Sequence, residues 1–253
     1  MSLFDLTGKV AVVTGSSRGI GRAIAERLAE HGASVVISSR KSAACEAVAD
    51  QLNAVRSGSA IAIPASISVK ADLQRLVDES RRAFGQIDIL VCNAASNPFY
   101  GSFADISDEA FRKVLENNIV SSHWLAQMAA PEMRARRDGV IIIISSIGAL
   151  RGSSMLGSYA ISKAADLQLA RNLAQELGPD NIRVNCIAPG LVKTDFARAL
   201  WDTPEGEKRE RADTPLRRLG EPDDIAGAAV FLASRAGSWM TGQAIVIDGG
   251  ATC

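Results

Sequence analysis

The sequence is poor in the residue types that several common kinds of site require. Histidine occurs only twice in 253 residues, at His31 and His123, so neither a histidine-rich metal centre nor a serine-hydrolase triad is expected. The four cysteines contain no Cys-x-x-Cys pair, which favours reduced thiols over a disulfide framework. We therefore expect no metal site, and we predict a cytoplasmic protein.

An excess of one charge and long apolar runs are also missing. The 28 basic and 28 acidic side chains balance, which argues against nucleic-acid and anionic-membrane partners. Runs such as Val140–Ile144 are too short to cross a bilayer, and the first residues show no signal-peptide pattern. Hydrophobic residues still make up 47% of the chain, which is typical of a soluble globular protein.

Short aliphatic runs alternate with helical patterns from end to end. Their continuous Val/Ile character is typical of parallel strands that are buried on both faces. The runs are Val10–Val13, Ser34–Ile37, Ala60–Ile63, Ile87–Val91, Val140–Ile144, Ile182–Ile187 and Ala244–Ile247. They predict an α/β fold with one Rossmann-type, doubly wound, parallel seven-stranded sheet and helices on both faces. We expect a single domain over residues 1–253, with a substrate lid at the long charged segment 191–221.

A glycine-rich segment follows the first run and opens a helix. It reads Thr14-Gly-Ser-Ser-Arg-Gly-Ile-Gly21. Glycines let backbone N–H groups approach a phosphate closely, and a helix N-terminus favours negative charge there. The spacing GxxxGxG differs from the usual GxGxxG, so a plain glycine-rich turn between strand and helix is the alternative.

The end of the second run bears on the choice of cofactor. It reads Ser38-Ser39-Arg40-Lys41 and contains no carboxylate, whereas an acidic residue there would bind ribose hydroxyls and favour NAD. Arg40, together with Arg18, is suited to pair with a 2′-phosphate. We therefore predict NADP(H), with NAD(H) as the alternative cofactor and a solvated helix start as the alternative role of the two basic residues.

Three residues form a candidate catalytic group. Tyr159 and Lys163 are four residues apart, hence on one face of a helix, and Ser146 comes thirteen residues before the tyrosine. A nearby ammonium lowers the pKa of a phenol from its ordinary value of about 10 and suits it to acid–base chemistry. Ser146 follows a predicted strand, where parallel sheets present ligands, and its hydroxyl would steady a carbonyl or alcohol oxygen.

Taken in this order, these motifs resemble the short-chain dehydrogenase/reductase family, from about Leu6 to Gly250. The resemblance implies that Asn118, Ser146, Tyr159 and Lys163 are catalytic, with Asn118 holding a water of the proton relay. It also implies a nicotinamide site at Pro189-Gly190 and Thr194. The cofactor-binding residues that we predict are Gly15, Ser17, Arg18, Gly19, Ile20, Gly21, Ser39, Arg40, Ser66, Ile67, Asn93, Ala94, Ala95, Tyr159, Lys163, Pro189, Gly190, Val192 and Thr194.

The chain departs from the family pattern at three positions. Ala95 replaces a usual glycine, and Cys92 stands where an asparagine is common. Ser66 stands where an aspartate often contacts the adenine amino group, so a hydroxyl or the Ile67 backbone would have to replace that contact.

The loop sequences resemble one branch of the family, the NADPH-dependent carbonyl and retinal reductases. The segments that carry this likeness are Asn93–Gly101, Pro189–Trp201 and Arg218–Gly227. The resemblance implies hydride transfer between nicotinamide and a small ketone, aldehyde or secondary alcohol. A 3-oxoacyl-thioester reductase, an NAD-dependent alcohol, polyol or steroid dehydrogenase, and a non-catalytic cofactor sensor are the alternatives.

The resemblance also implies a homotetramer or, failing that, a dimer. Subunits would pair through the helices that carry Asn118 and Tyr159 and through the C-terminal strand. Small residues on those helices would allow close approach; they are Ala126, Ala129, Ala130, Ala164, Ala165 and Ala170. Trp239 is predicted to lie in the core. About half of a set of loop side chains should line the substrate pocket; the set is Phe99, Tyr100, Met155, Phe196, Leu200 and Trp201.

Overall fold

The computed structural model describes residues 2–253 and contains the predicted parallel sheet. Its seven strands have the spatial order β3-β2-β1-β4-β5-β6-β7. Their bounds are Val10–Thr14 (β1), Ser34–Ser38 (β2), Ala60–Ala62 (β3), Ile89–Cys92 (β4), Gly139–Ile144 (β5), Ile182–Pro189 (β6) and Ala244–Ile247 (β7). All six neighbouring pairs are parallel, so the predicted fold class is confirmed.

Helices cover both faces of the sheet. Those on one face include α1, α2 and α9, and those on the other include α3, α5 and α6. The bounds are Gly19–Glu30 (α1), Ser42–Val55 (α2), Lys70–Phe84 (α3), Asp108–Leu115 (α4), Ser121–Arg136 (α5), Gly157–Leu177 (α6), Arg198–Trp201 (α7), Pro204–Asp213 (α8) and Pro222–Ala233 (α9).

Strand β5 shows why continuous aliphatic runs form the centre of the sheet. Successive side chains of a strand point to opposite faces. Ile142 and Ile144 accordingly join the apolar layer beneath α1 and α9, while Ile141 and Ile143 join the layer beneath α3, α5 and α6. Because both faces are covered, all six residues of β5 are buried, and a polar residue at any of these positions would lose its hydration.

Two helix ends follow local rules that are visible in the sequence. Ser107 precedes α4, and its hydroxyl accepts a hydrogen bond from the Ala110 backbone N–H at 3.2 Å. Gly32 follows α1 with a φ of +105°, and a Cβ there would lie 2.7 Å from Thr7 Oγ1, so only glycine fits this close approach without strain.

The helix that carries Asn118 is not a regular α-helix. Helices α4 and α5 are joined by a π-helical turn at Glu116–Val120, which contains Asn118. Such turns place one extra residue in the helix and are frequent at functional sites.

The C-terminal region corrects one prediction. Trp239, expected in the core, is fully exposed, and Val246 on β7 is partly exposed. Strand β7 forms one edge of the sheet, which leaves its surroundings less covered than those of the central strands. Within residues 2–253, no helix combines the length and apolar character needed to cross a membrane.

Candidate active site and cofactor cleft

The cleft lies at the carboxyl edge of the sheet, where the chain order reverses. Strands β1 and β4 are neighbours, although β2 and β3 separate them in sequence and extend the sheet the other way. Loops after adjacent strands diverge at such a point and leave a crevice. Here the crevice has a volume of about 640 Å³ and is lined by the loops that follow β1 to β6.

A small hydrogen-bond network connects the loop that follows β1 with the loop that follows β4. Thr14 Oγ1 accepts from the backbone N–H groups of Asn93 (3.0 Å) and Ala94 (3.1 Å), and donates to Val91 O at 3.2 Å. Asn93 Nδ2 donates to Thr14 O at 2.8 Å. These bonds hold the Asn93–Ala94 turn against the glycine-rich segment and so fix one wall of the cleft.

The glycine-rich segment packs too closely on its neighbours to admit larger side chains. Gly15 and Gly19 have φ angles of +67° and +57°, in the left-handed region. A Cβ on Gly21 would lie 2.4 Å from Asn93 Nδ2 and 2.5 Å from Gly15 O. The first turn of α1 has no capping side chain and no acidic residue, so its N–H groups face the cleft as an anion site. These features fit a dinucleotide pyrophosphate.

Positive charge predominates in the cleft. Among the described residues, one carboxylate lines it, that of Asp195. Five cationic side chains line it: Arg18, Arg40, Lys41, Lys113 and Lys163. Arg40 and Lys41 are exposed at the end of β2 and have no ion-pair partner within residues 2–253. Arg18, by contrast, pairs with Asp195 across the mouth of the cleft, at 3.0 Å.

The structure brings the predicted serine, tyrosine and lysine together on one side of the cleft. Ser146 follows β5, and its Oγ accepts from the Gly148 backbone N–H at 3.0 Å. Tyr159 and Lys163 project from the first turns of α6, with Lys163 Nζ 5.7 Å from the centre of the tyrosine ring. Phe196 from the predicted lid lies over the tyrosine, with ring centroids 6.0 Å apart.

The sequence predicted that the pKa of Tyr159 is lowered, but in the structure the pKa is raised. Burial raises the pKa of Tyr159 above its ordinary value, while Lys163 and a hydrogen bond with Ser146 oppose that effect. The ammonium acts as the sequence predicted, but taking a phenolate out of water costs more than a single buried cation returns.

Lys163 is itself deeply buried, and two of its three ammonium N–H groups have acceptors in the protein. Its Nζ donates to Ile144 O at 2.9 Å and to Asp166 Oδ2 at 3.0 Å. Burial opposes the charged form, but the neighbouring Asp166 carboxylate and the Tyr159 phenol raise the pKa of Lys163 above its usual value. Asp166 was not predicted as a site residue.

Asn118 lies behind the cleft rather than on its surface. Its Oδ1 accepts from the Ser96 backbone N–H at 2.8 Å, and its Nδ2 donates to Ser96 O and to Ser162 Oγ, both at 3.0 Å. The neighbouring Asn117 lines the cleft instead, with a buried Oδ1 that has no hydrogen-bond partner among the described residues. The sequence offered two adjacent asparagines, and family likeness alone selected the second.

Each residue predicted to bind the cofactor lines the cleft. Ser66, the departure from the family pattern, has its hydroxyl 2.8 Å from Ser68 Oγ, and its backbone N–H donates to Asp72 at 2.9 Å.

The side chains predicted to line the substrate pocket do so less often than expected. Among the described residues of that set, Phe196 lines the cleft and the other five do not. Tyr100 and Met155 are exposed, so together with Phe196 they present apolar surface to solvent. Within residues 2–253 there is no group of three or more histidine, cysteine or acidic side chains with the arrangement of a metal site.

Comparison with known proteins agrees with this geometry. The model of a family described as enoyl-(acyl carrier protein) reductase matches residues 15–252. Dehydrogenase/reductase SDR family member 4 from Homo sapiens is 44% identical over 248 residues, which cover 97% of this chain and 88% of the relative. The 7α-hydroxysteroid dehydrogenase of Escherichia coli is 43% identical, with 97% and 94% covered.

Solved structures show the same likeness. A 7α-hydroxysteroid dehydrogenase in complex with NADH and 7-oxo glycochenodeoxycholic acid superposes with a TM-score of 0.94 at 42% identity, covering 98% of this chain and 96% of that one. A gluconate 5-dehydrogenase from Burkholderia cenocepacia, in complex with NADP and tartrate, gives 0.93 at 32% identity, with 99% and 97% covered.

The fold, the cleft and these comparisons define an oxidoreductase enzyme. The chain belongs to the short-chain dehydrogenase/reductase family, and its likeness to the branch that contains dehydrogenase/reductase SDR family member 4 is confirmed at 44% identity. The two solved relatives carry different nicotinamide cofactors, NADH in one and NADP in the other.

Proposed function

We propose that the chain is an NADP(H)-dependent oxidoreductase that acts on ketones, aldehydes or secondary alcohols, with Tyr159 as general acid and base. The observation that carries this proposal is the position of Ser146, Tyr159 and Lys163 on the same cleft as the uncapped N-terminus of α1. When bound there, a nicotinamide supplies or accepts the hydride. The side chains place the reacting oxygen and move its proton.

Each catalytic side chain has a distinct task in this proposal. Ser146 Oγ positions the substrate oxygen, and Tyr159 donates its proton to that oxygen in reduction and takes it back in oxidation. Lys163 stabilises the phenolate and binds the nicotinamide ribose. Asn118 anchors a water that returns the proton to Tyr159; its bonds to Ser96 and Ser162 support this role, since they hold it rigidly behind the site.

The preference for NADP(H) is supported by charge. The loop after β2 carries Arg40 and Lys41 without an ion-pair partner in the described chain, and Ser39 lines the same part of the cleft. A 2′-phosphate is recognised by such cations, whereas the ribose hydroxyls of NAD(H) are recognised by a carboxylate. The loop contains no carboxylate.

An NAD-dependent hydroxysteroid dehydrogenase is the second candidate, and a specific observation favours it. The solved relative with NADH and a bile-acid ligand is 42% identical and superposes over nearly the whole chain. Phe196 presents an exposed apolar side chain to the cleft, which suits a large apolar substrate.

One assay separates these candidates. The purified protein is supplied with NADPH or NADH, and loss of the reduced nicotinamide is followed by absorbance against aliphatic ketones, aromatic aldehydes, 3-oxoacyl thioesters and oxosteroids. The proposal expects turnover of simple carbonyls with NADPH preferred. Turnover confined to oxosteroids with NADH would establish the second candidate, and turnover confined to thioesters would establish a 3-oxoacyl-thioester reductase. A protein that binds cofactor but turns over no carbonyl would be a sensor.

We also propose that the enzyme is a homotetramer, although the residues that support this differ from those expected from the sequence. Four of the small residues expected at the interface, Ala126, Ala129, Ala130 and Ala170, are buried inside the chain and pack there. The support comes instead from exposed apolar groups, Ile161 on α6, Trp239 and Val246, which a partner subunit would cover. Light scattering at micromolar concentration should give four times the chain mass, and a monomer mass would contradict the proposal.

We place the enzyme in the cytoplasm. Its four cysteines are all free in the structure, three of them buried, and unpaired thiols are typical of a reducing compartment. Fractionation of the source cells with an antibody to the protein would test this assignment.

A further inference from the structure

A buried carboxylate lies directly behind the candidate catalytic lysine. Asp166 is fully buried on α6, with its Oδ2 3.0 Å from Lys163 Nζ. Its Oδ1 has no hydrogen-bond partner among the described residues. We propose that Asp166 is a positioning residue, which fixes the Lys163 ammonium in place and opposes the stabilisation that this ammonium gives to the Tyr159 phenolate. The inference rests on the proposed roles of Tyr159 and Lys163.

Packing gives no reason for a carboxylate at this position. Desolvating an ion pair offsets most of its attraction, and a well-packed apolar pair of similar size is often equally stable. One carboxylate oxygen here lacks a hydrogen bond altogether, which makes the arrangement more costly than a satisfied one. An apolar side chain would complete the surrounding layer, to which Leu167 and Ala170 on the same helix belong.

The geometry shows what the carboxylate does for the lysine. Asp166 follows Lys163 at the i, i+3 spacing along α6, so both side chains lie on the face that meets the sheet. The Ile144 carbonyl and Asp166 Oδ2 each accept from Nζ. With two fixed acceptors, the long lysine side chain keeps one position, and the ammonium stays 5.7 Å from the Tyr159 ring centre.

No other cation competes for Asp166 among the described residues. Lys163 and Tyr159 face it from its own helix, while the thiols of Cys92 on β4 and Cys186 on β6 face it from the sheet. Burial raises the pKa of the Cys92 thiol to about 12 and raises that of Cys186 as well, so both are neutral. Burial also raises the pKa of Asp166 itself, and the adjacent ammonium opposes that effect.

The effect on the tyrosine has a definite sign. The negative charge of Asp166 raises the pKa of Tyr159, while the positive charge of Lys163 lowers it. Asp166→Asn removes the negative charge but keeps a carbonyl oxygen that can accept from Nζ, so the ammonium keeps both acceptors. The phenolate then becomes easier to form, and Tyr159 should ionise at lower pH.

The chain contains two tyrosines, Tyr100 and Tyr159, which makes a direct measurement feasible. In a Tyr100→Phe background, the ultraviolet absorbance of phenolate during an alkaline titration reports Tyr159 alone. The titration uses the cofactor-free protein, with circular dichroism to define the pH range of the folded state. Adding Asp166→Asn should shift the ionisation midpoint down by roughly one pH unit, the scale for one buried neighbouring charge.

Two controls make the result specific. Tyr159→Phe in the same background should abolish the signal. Asp88→Asn removes another buried carboxylate, which is paired with Arg136 at 3.6 Å near the start of β4 and lies outside the cleft, and it should leave the midpoint unchanged. A midpoint that stays in place or moves up in Asp166→Asn would overturn the proposal, whether or not the enzyme turns over any carbonyl.

The pH dependence of turnover provides a second measurement. With NADPH and an aromatic aldehyde from the assay above, kcat/KM falls where Tyr159 loses its proton, and Asp166→Asn should move that fall to lower pH. KM for NADPH should stay within about threefold, or about 0.7 kcal/mol, because Lys163 is retained. A uniform loss of activity at every pH, with the profile unshifted, would mean that Asp166 has a merely structural role and would contradict the inference.

Discussion

The preference between NADPH and NADH depends on the loop after β2, and it can be tested by two substitutions there. Arg40 is exposed, lines the cleft and has no ion-pair partner within residues 2–253, so its guanidinium is free to bind a phosphate. A charge-assisted hydrogen bond contributes about 1.5–3 kcal/mol, and about 1.4 kcal/mol corresponds to tenfold. Arg40 should thus favour NADPH by about ten- to a hundredfold, and solvent screening places the value near the lower end.

Ser39→Asp combined with Arg40→Ala should erase or reverse this preference. The new carboxylate repels a 2′-phosphate and accepts hydrogen bonds from the ribose hydroxyls of NADH. The measurement is kcat/KM with each cofactor, expressed as their ratio. Since the contact is exposed, the ratio for the unaltered enzyme should also decline as salt is raised.

Arg22→Ala provides a matched control, because it removes one positive charge from α1 outside the cleft. Arg22 pairs with Glu26 at 2.7 Å and with Gln51 at 2.8 Å, so its loss should leave the cofactor ratio unchanged. An unaltered enzyme that prefers NADH would refute the reasoning, whatever the double variant does. So would an Arg40→Ala single variant that retains the full preference for NADPH.

Three further substitutions test the cleft. Tyr159→Phe should lower kcat by at least about a hundredfold, the usual scale for losing a general acid, with cofactor affinity nearly intact by fluorescence titration; turnover within a few-fold would reject the assignment. Lys163→Ala should weaken both kcat and cofactor affinity, and unchanged affinity would show that the ribose contact is wrong. Gly21→Ala puts a Cβ 2.4 Å from Asn93 Nδ2 and should abolish cofactor binding. Gly227→Ala on α9, where a Cβ meets nothing within 4 Å, should leave binding intact.

The strand pattern could be predicted because buried parallel strands leave a strong local signal. All seven aliphatic runs correspond to strands, and the errors are confined to their ends. The run that begins at Ile87 forms a strand only from Ile89, although the Asp88 backbone already donates to Val10 O at 2.9 Å and accepts from the Val140 N–H at 2.8 Å. The run that ends at Ile187 continues to Pro189, where β6 pairs with β7. Such ends depend on neighbouring strands, which a local pattern does not contain.

The misplaced side chains share a different cause. Trp239 was predicted to be buried because large aromatic residues near strands usually are, yet it lies fully exposed beside the edge of the sheet. The expected substrate side chains failed in the same way, since Tyr100 and Met155 are exposed and do not line the cleft. Position along the chain indicates which loop a residue belongs to, but the loop conformation decides which way the side chain points.

Asp166 is the instructive case, because the sequence did contain a signal for it. Lys163 and Asp166 are spaced i, i+3, which is also the spacing of the exposed pair Asp72 and Arg75, whose side chains are 3.5 Å apart. Exposed pairs of this kind contribute about 0–1 kcal/mol and influence little else. The difference lies in the helix face: Asp166 falls on the stripe that continues through Ala170 to Leu177, all buried. A carboxylate on the apolar stripe of the helix that carries the candidate acid therefore has no solvent to screen it, and its charge acts at full strength on the proton that the reaction would move.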